Sequence, residues 1–131
     1  MTTELSQFEL DFFEALVRKN PRFIDAISAL AETYTASGSY EKGLEMDERL
    51  SVLCPKDGLV FYNLACSYAL LNRISESLSA LEKAASFGYR DWKYMQRDAD
   101  LAILAGQPRF AELLQRMRAP SSEVNPHNTL D

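Results

Sequence analysis

The apolar positions of this chain fall at helical spacing almost throughout, and the pattern is clearest from Gly58 to Tyr89. There Phe61, Leu64, Ala65 and Tyr68 form one stripe, and Ile74, Leu78, Leu81 and Ala84 form a second. The short break Leu71-Asn72-Arg73 joins them, which predicts an antiparallel helix pair. Earlier in the chain, Leu5, Phe8, Phe12, Phe13, Leu16 and Val17 predict a first helix over 4–19, stopped by Asn20-Pro21. The three phenylalanines on it require cover, and the next helix is the expected cover. Phe23, Ile27, Leu30, Ala31 and Tyr34 predict a second helix over 22–37, closed by Gly38. Tyr40, Leu44, Met46, Leu50 and Leu53 predict a third over 40–53, stopped by Cys54-Pro55. After Tyr89 the pattern shortens. Trp92, Tyr94 and Met95 belong to a short helix, Asp98 leads a new turn, and Pro108 opens a last helix through Met117 with Phe110, Leu113, Leu114 and Met117 inward.

The stripes repeat. Leu30, Ala31, Tyr34 and Leu44 each stand 34 residues before Leu64, Ala65, Tyr68 and Leu78, and the breakers Pro21 and Gly38 stand 34 before Pro55 and Asn72. Ala31 and Ala65 are expected at close helix crossings, facing the small residues Gly43 and Ser77. Tyr34 and Tyr68 are expected to fill the space between neighbouring pairs. Asp47 departs from the pattern, because Leu81 holds its slot one repeat on. It predicts either weakened local packing or an exposed or partner-facing carboxylate.

A helix-turn-helix unit at this period, with these residues, resembles the tetratricopeptide repeat family. The string from Gly88 through Leu114 is similar to the C-terminal ending of small bacterial members. The resemblance implies an all-α, right-handed solenoid of antiparallel helix pairs. It divides the chain into a half-repeat helix (1–23), two repeats (24–57 and 58–91), capping helices (92–118) and a disordered tail (119–131). The first helix then fills a second-helix slot whose partner is missing, as an N-terminal cap or the cut face of a longer array.

Composition and charge narrow the function. The chain is 47% apolar and 25% charged, as expected of a folded domain, and its net charge of −5 disfavours nucleic-acid and anionic-membrane partners. Neither a secretory signal nor a membrane span is expected, and Cys54 and Cys66 fit reduced thiols, so the expected setting is cytoplasmic. One histidine, His127 in the predicted tail, offers no triad, metal spacing is missing, and the five glycines never cluster into a phosphate loop. No cofactor and no catalysis are expected.

Binding is the better-motivated class, and the family resemblance implies a concave groove lined by the first helix of each pair. Projected onto this register, Asp25, Ser28, Ala29, Glu32 and Thr35 line it from the first repeat. Leu59, Tyr62, Asn63, Cys66, Ala69 and Leu70 follow from the second, and Lys93, Gln96 and Arg97 from the capping unit. Leu59, Tyr62 and Leu70 are expected as an exposed apolar patch with a polar rim. The bland alternative is that solvent is the only partner of these side chains.

In chaperone-binding members of the family a clamp of Lys, Asn and Arg side chains holds a peptide's terminal carboxylate. Asn63, Lys93 and Arg97 match three of its positions, whereas Ser28 and Glu32 stand where Lys and Asn would be. This is a half clamp, with Glu32 repelling a carboxylate, so a weaker site for an anionic or mixed-charge peptide is expected in its place. Otherwise Lys93 and Arg97 are expected to pair with Asp91, Asp98 or Asp100. The sequence thus predicts a protein or peptide partner in the groove. Self-association as a homodimer through Phe8 and Phe12 is the alternative, and a scaffold without a groove ligand is a third reading.

Overall fold

The structure is a computed structural model that describes residues 4–119, with side chains described from Gln7 onward. The elements among the described residues are all helical: α1 (Glu4–Lys19), α2 (Ile24–Ala36), α3 (Tyr40–Leu53), α4 (Gly58–Leu70), α5 (Ile74–Ser86), α6 (Trp92–Arg97), a 3-10 helix (Ala99–Leu104) and α7 (Pro108–Arg118). The expected tail and His127 lie outside the described residues, apart from Ala119. The second helix starts two residues later than the apolar pattern predicts. Pro21 sets a turn in which the Phe23 N–H donates to the Asn20 carbonyl and the Arg22 N–H to the Asn20 side chain, so Arg22 and Phe23 belong to the turn.

Three helices end by one local device. In each, a residue with positive φ follows the last turn: Gly38 (φ 87°), Asn72 (φ 62°) and Gly88 (φ 105°). The next amide then reaches back along the helix, from Ser39 to the Tyr34 carbonyl, Arg73 to Tyr68 and Tyr89 to Ala84, at 2.8–2.9 Å. This closure satisfies carbonyls that the helix end would otherwise orphan. Asn is the non-glycine residue best suited to that conformation, which is why Asn72 substitutes for the glycine found at the matching position 38.

The helices pack as neighbours in sequence: α2 against α3, α4 against α5, with α1 on α2 and α3 on α4. Both pairs cross on small residues, as the sequence predicts. At Gly43 a Cβ would meet Thr35 Oγ1 at 2.5 Å. Ser77, fully buried on α5, donates its hydroxyl to the Ala65 carbonyl at 2.8 Å. The tyrosines bridge outward to the preceding second helix. Tyr34 donates to Glu14 at 2.5 Å and Tyr68 to Glu48 at 3.2 Å, the same bond one repeat apart. The core forms two apolar clusters, one under α1–α3 around Ile27, Leu30 and Leu50. The other, under α4, α5, the 3-10 helix and α7, surrounds Leu81, Met95 and Leu104. Arg109 grips Glu82 through two nitrogens and ties α7 to α5.

Two expectations about burial are corrected. The second helix does not cover the whole phenylalanine stripe: Phe13, Leu16 and Val17 join the core, but Phe8 and Phe12 stand 68% and 52% exposed. They project away from α2, because the apolar stripe of α1 is wider than the face α2 can reach. Asp47 is also not exposed. It is buried and accepts the Ser67 hydroxyl at 2.5 Å, so a polar pair lies at the α3–α4 contact.

Gly58, the first residue of α4, has the backbone of the α5 end pressed against it. A Cβ there would lie 2.9 Å from the Ala84 carbonyl oxygen and 3.0 Å from the Phe87 oxygen and the Tyr89 nitrogen. Backbone atoms do not step aside as a side-chain end does. Gly58→Ala is therefore expected to destabilise the fold by about 1–3 kcal/mol in urea denaturation, despite alanine's better helix propensity.

Candidate functional site

Across α2, α3 and α4, closed at one end by the capping unit, lies a groove of about 790 Å³. Helical spacing aims its residues: Ser28, Glu32 and Thr35 come one turn apart from α2, and Leu59, Tyr62, Asn63, Cys66 and Leu70 from α4. Asp47 and Leu50 of α3 line its floor. Asp91, Tyr94, Asp98 and Asp100, with Tyr89, make the closed end. Eight of the fourteen groove residues expected from the sequence are brought together here, Thr35 among them, whereas Asp25, Ala29 and Ala69 do not line the groove.

The closed end is built around Asp98. It accepts the Tyr62 hydroxyl at 2.5 Å, the Cys66 thiol at 3.7 Å and the Asp100 amide at 3.0 Å, which caps the 3-10 helix. Tyr62 stacks flat on Tyr89, ring centroids 4.3 Å apart and planes 9° apart. Asp91 caps α6 by accepting the Tyr94 amide. Burial, with Asp98 adjacent, pushes the Tyr62 hydroxyl and the Cys66 thiol well above their ordinary ranges, so both stay protonated as donors. Tyr89 is pushed up to about 12, chiefly by burial.

This geometry corrects the expected site in two respects. Tyr62 is not part of an exposed patch: it is buried, and of the expected trio only Leu59 is well exposed. The half clamp is not assembled. Asn63 lines the groove, but Lys93, Gln96 and Arg97 do not. Lys93 lies over the Trp92 ring and Arg97 over the Tyr94 ring, each 5.7 Å from the centroid. Nor do they form the expected carboxylate pairs, since the salt bridges among the described residues are Arg73–Glu76 and Arg109–Glu82. Lys93 and Arg97 keep their one-turn spacing inside α6, but each side chain lies over an aromatic ring of its own helix instead of lining the groove. The sequence projection missed Tyr89, Asp91, Tyr94 and Asp100. The signal available for them was the Asp91 and Asp98 capping positions, which fix where that end of the chain turns.

Among the described residues, no lysine or arginine lines the groove, while Glu32, Asp47, Asp91, Asp98 and Asp100 do. Asp47 is raised from 3.8 to about 6, by burial first and by Glu32 nearby, with the Ser67 hydrogen bond pulling the other way. Asp100 is raised by burial and by Asp98.

No family model matches the chain. Over 86 residues it is 38% identical to a chloroplastic protein of Arabidopsis thaliana, a match that takes in 63% of this chain and 26% of that protein. The chain thus spans about a quarter of the length of the curated relative it matches. No helix among the described residues is long and apolar enough to cross a membrane.

A carboxyl whose folded pKa lies above its unfolded one binds its proton more tightly when folded. Asp47 therefore stabilises fully below about pH 4, loses that contribution as pH rises, and gives none above about 6. Asp47→Asn keeps an acceptor for Ser67 without the charge. It is expected to exceed the wild type at pH 7.5 by about 3 kcal/mol, with the difference vanishing near pH 4 in urea denaturation followed by circular dichroism.

Proposed function

We propose that this chain is a tetratricopeptide-type solenoid module that binds, without catalysis, a partner segment carrying basic side chains in its concave groove. The observation that carries the reading is the groove's lining: five carboxylates and exposed tyrosine surface, with no lysine or arginine among the lining residues described, Arg97 covering one face of the Tyr94 ring from outside. A lysine or arginine of a bound segment would gain charge attraction and a ring face at Tyr94, which is 43% exposed. The repeated caps, the small-on-small crossings and the 34-residue register support the family assignment. Binding is favoured over catalysis because Asp98, at the closed end, already accepts three structural donors, from Tyr62, Cys66 and the Asp100 amide. Cys54 and Cys66 both stand as free thiols, which supports a reducing, cytoplasmic setting.

The test is titration with an extended, capped peptide containing alternating lysines and arginines, read by fluorescence anisotropy. Glu32 and Asp100 hold no structural hydrogen bond through their side chains among the described residues, so Glu32→Gln with Asp100→Asn leaves the fold alone. The double variant is expected to weaken the peptide roughly tenfold, and added salt should weaken it in the wild type. Equal affinity in both proteins would remove the reading.

Exposed Phe8 and Phe12 support a second reading, self-association through α1. Sedimentation of the wild type should then show a dimer that Phe12→Glu converts to monomer, whereas a wild-type monomer at high concentration would dismiss it.

A further inference from the structure

On the other side of the α2–α3 pair lies a second hollow of about 770 Å³, which shares no residue with the groove. Its walls are apolar: Val17, Leu30, Met46, Val52 and Leu53 contribute, and Val52 stands 77% exposed. Arg18, Arg22 and Arg49 also line it, all exposed and none in an ion pair among the described residues. The one carboxylate lining it among the described residues, Glu14, accepts the Tyr34 hydroxyl. An apolar hollow with three arginines and one engaged glutamate has the charge pattern opposite to that of the groove.

The internal repeat shows what such a hollow accommodates. One register on, Ile27 becomes Phe61, Leu53 becomes Phe87 and Arg49 becomes Lys83. There the two rings touch, centroids 5.5 Å apart, and Lys83 lies over the Phe61 ring at 5.6 Å. The second repeat thus supplies its own aromatic pair beneath a cation. In the first, Arg49 and the smaller Leu53 both line the hollow, while Ile27 is fully buried beneath it, so the wall carries the cation without the ring that Phe87 supplies one repeat on.

We propose that this hollow is a docking site for an acidic segment of a partner protein, which seats one aromatic side chain against Val52 and Leu53 and sets carboxylates on Arg18, Arg22 and Arg49. Arginine's planar fork suits paired carboxylate oxygens, and the ring would meet both apolar wall and guanidinium face. The site does not depend on the groove or on its ligand. The chain would then hold a basic segment on one face of the α2–α3 pair and an acidic one on the other.

The probe is the capped peptide Glu-Glu-Phe-Glu-Glu, titrated into the isotope-labelled protein and followed by backbone amide shifts. Saturable shifts are expected at Arg18, Arg49 and Val52 and not at Asn63. Arg18→Glu with Arg49→Glu should weaken the peptide by an order of magnitude or more. Leu53→Phe, which installs the second repeat's ring, should weaken it too while leaving the melting temperature unchanged or higher. Replacing the peptide's phenylalanine by alanine should abolish the shifts at Val52. Shifts confined to the groove, no saturable binding, or equal affinity for wild type and for whichever of the two variants stays folded would each overturn the proposal. Because the basic peptide is measured separately against Glu32→Gln with Asp100→Asn, either site can fail alone.

Discussion

The fold depends on how closely two helices of a pair can cross. At Gly43 even one methyl group would collide with Thr35, and at Ser77 the hydroxyl is accepted because it is engaged by the Ala65 carbonyl across the crossing. That proximity brings the apolar stripes of α2 with α3, and α4 with α5, into full contact. The groove and the hollow behind it both draw walls from the α2–α3 pair, the groove adding α4 and the capping unit and the hollow adding α1.

The ends of the repeats matter as much as their middles. The closures at Gly38 and Asn72 turn the chain within three residues, and the one at Gly88 opens a five-residue connection to α6. Where the repeat stops, Asp91 and Asp98 take over the work of directing the chain, each by capping a short helix. In doing so they carry negative charge into the closed end of the groove. A structural requirement of termination thereby becomes the electrostatic character of the site.

Helices and turns were legible in the sequence because local chemistry decides them: Pro21, Gly38, Pro55 and Pro108 punctuate, and the 34-residue spacing fixes the register between them. The lining of the groove from α2 and α4 followed from the same register. What could not be read was everything that depends on the capping unit's own geometry. Tyr62 occupies a position that faces outward by periodicity, yet Tyr89 and Asp98, supplied from the end of the repeat and beyond, cover it. Lys93 and Arg97 keep the expected spacing within α6, but each lies over an aromatic neighbour on its own helix, Trp92 and Tyr94, and spacing alone does not foretell that. Asp47 was visible as an anomaly. Its resolution required knowing that Ser67 comes opposite from the next helix.

Cys66 lies where the two halves of the site meet, its sulfur against Asp98 and Tyr62 beside it. Ionisation there is opposed by burial and by two carboxylates, so thiol reagents meet an unreactive group for as long as Tyr62 and Asp98 hold their places. Cys66 lines the groove, so the slowness of its reaction with a thiol reagent reads out the acidity that Asp98 and Asp100 lend to the closed end.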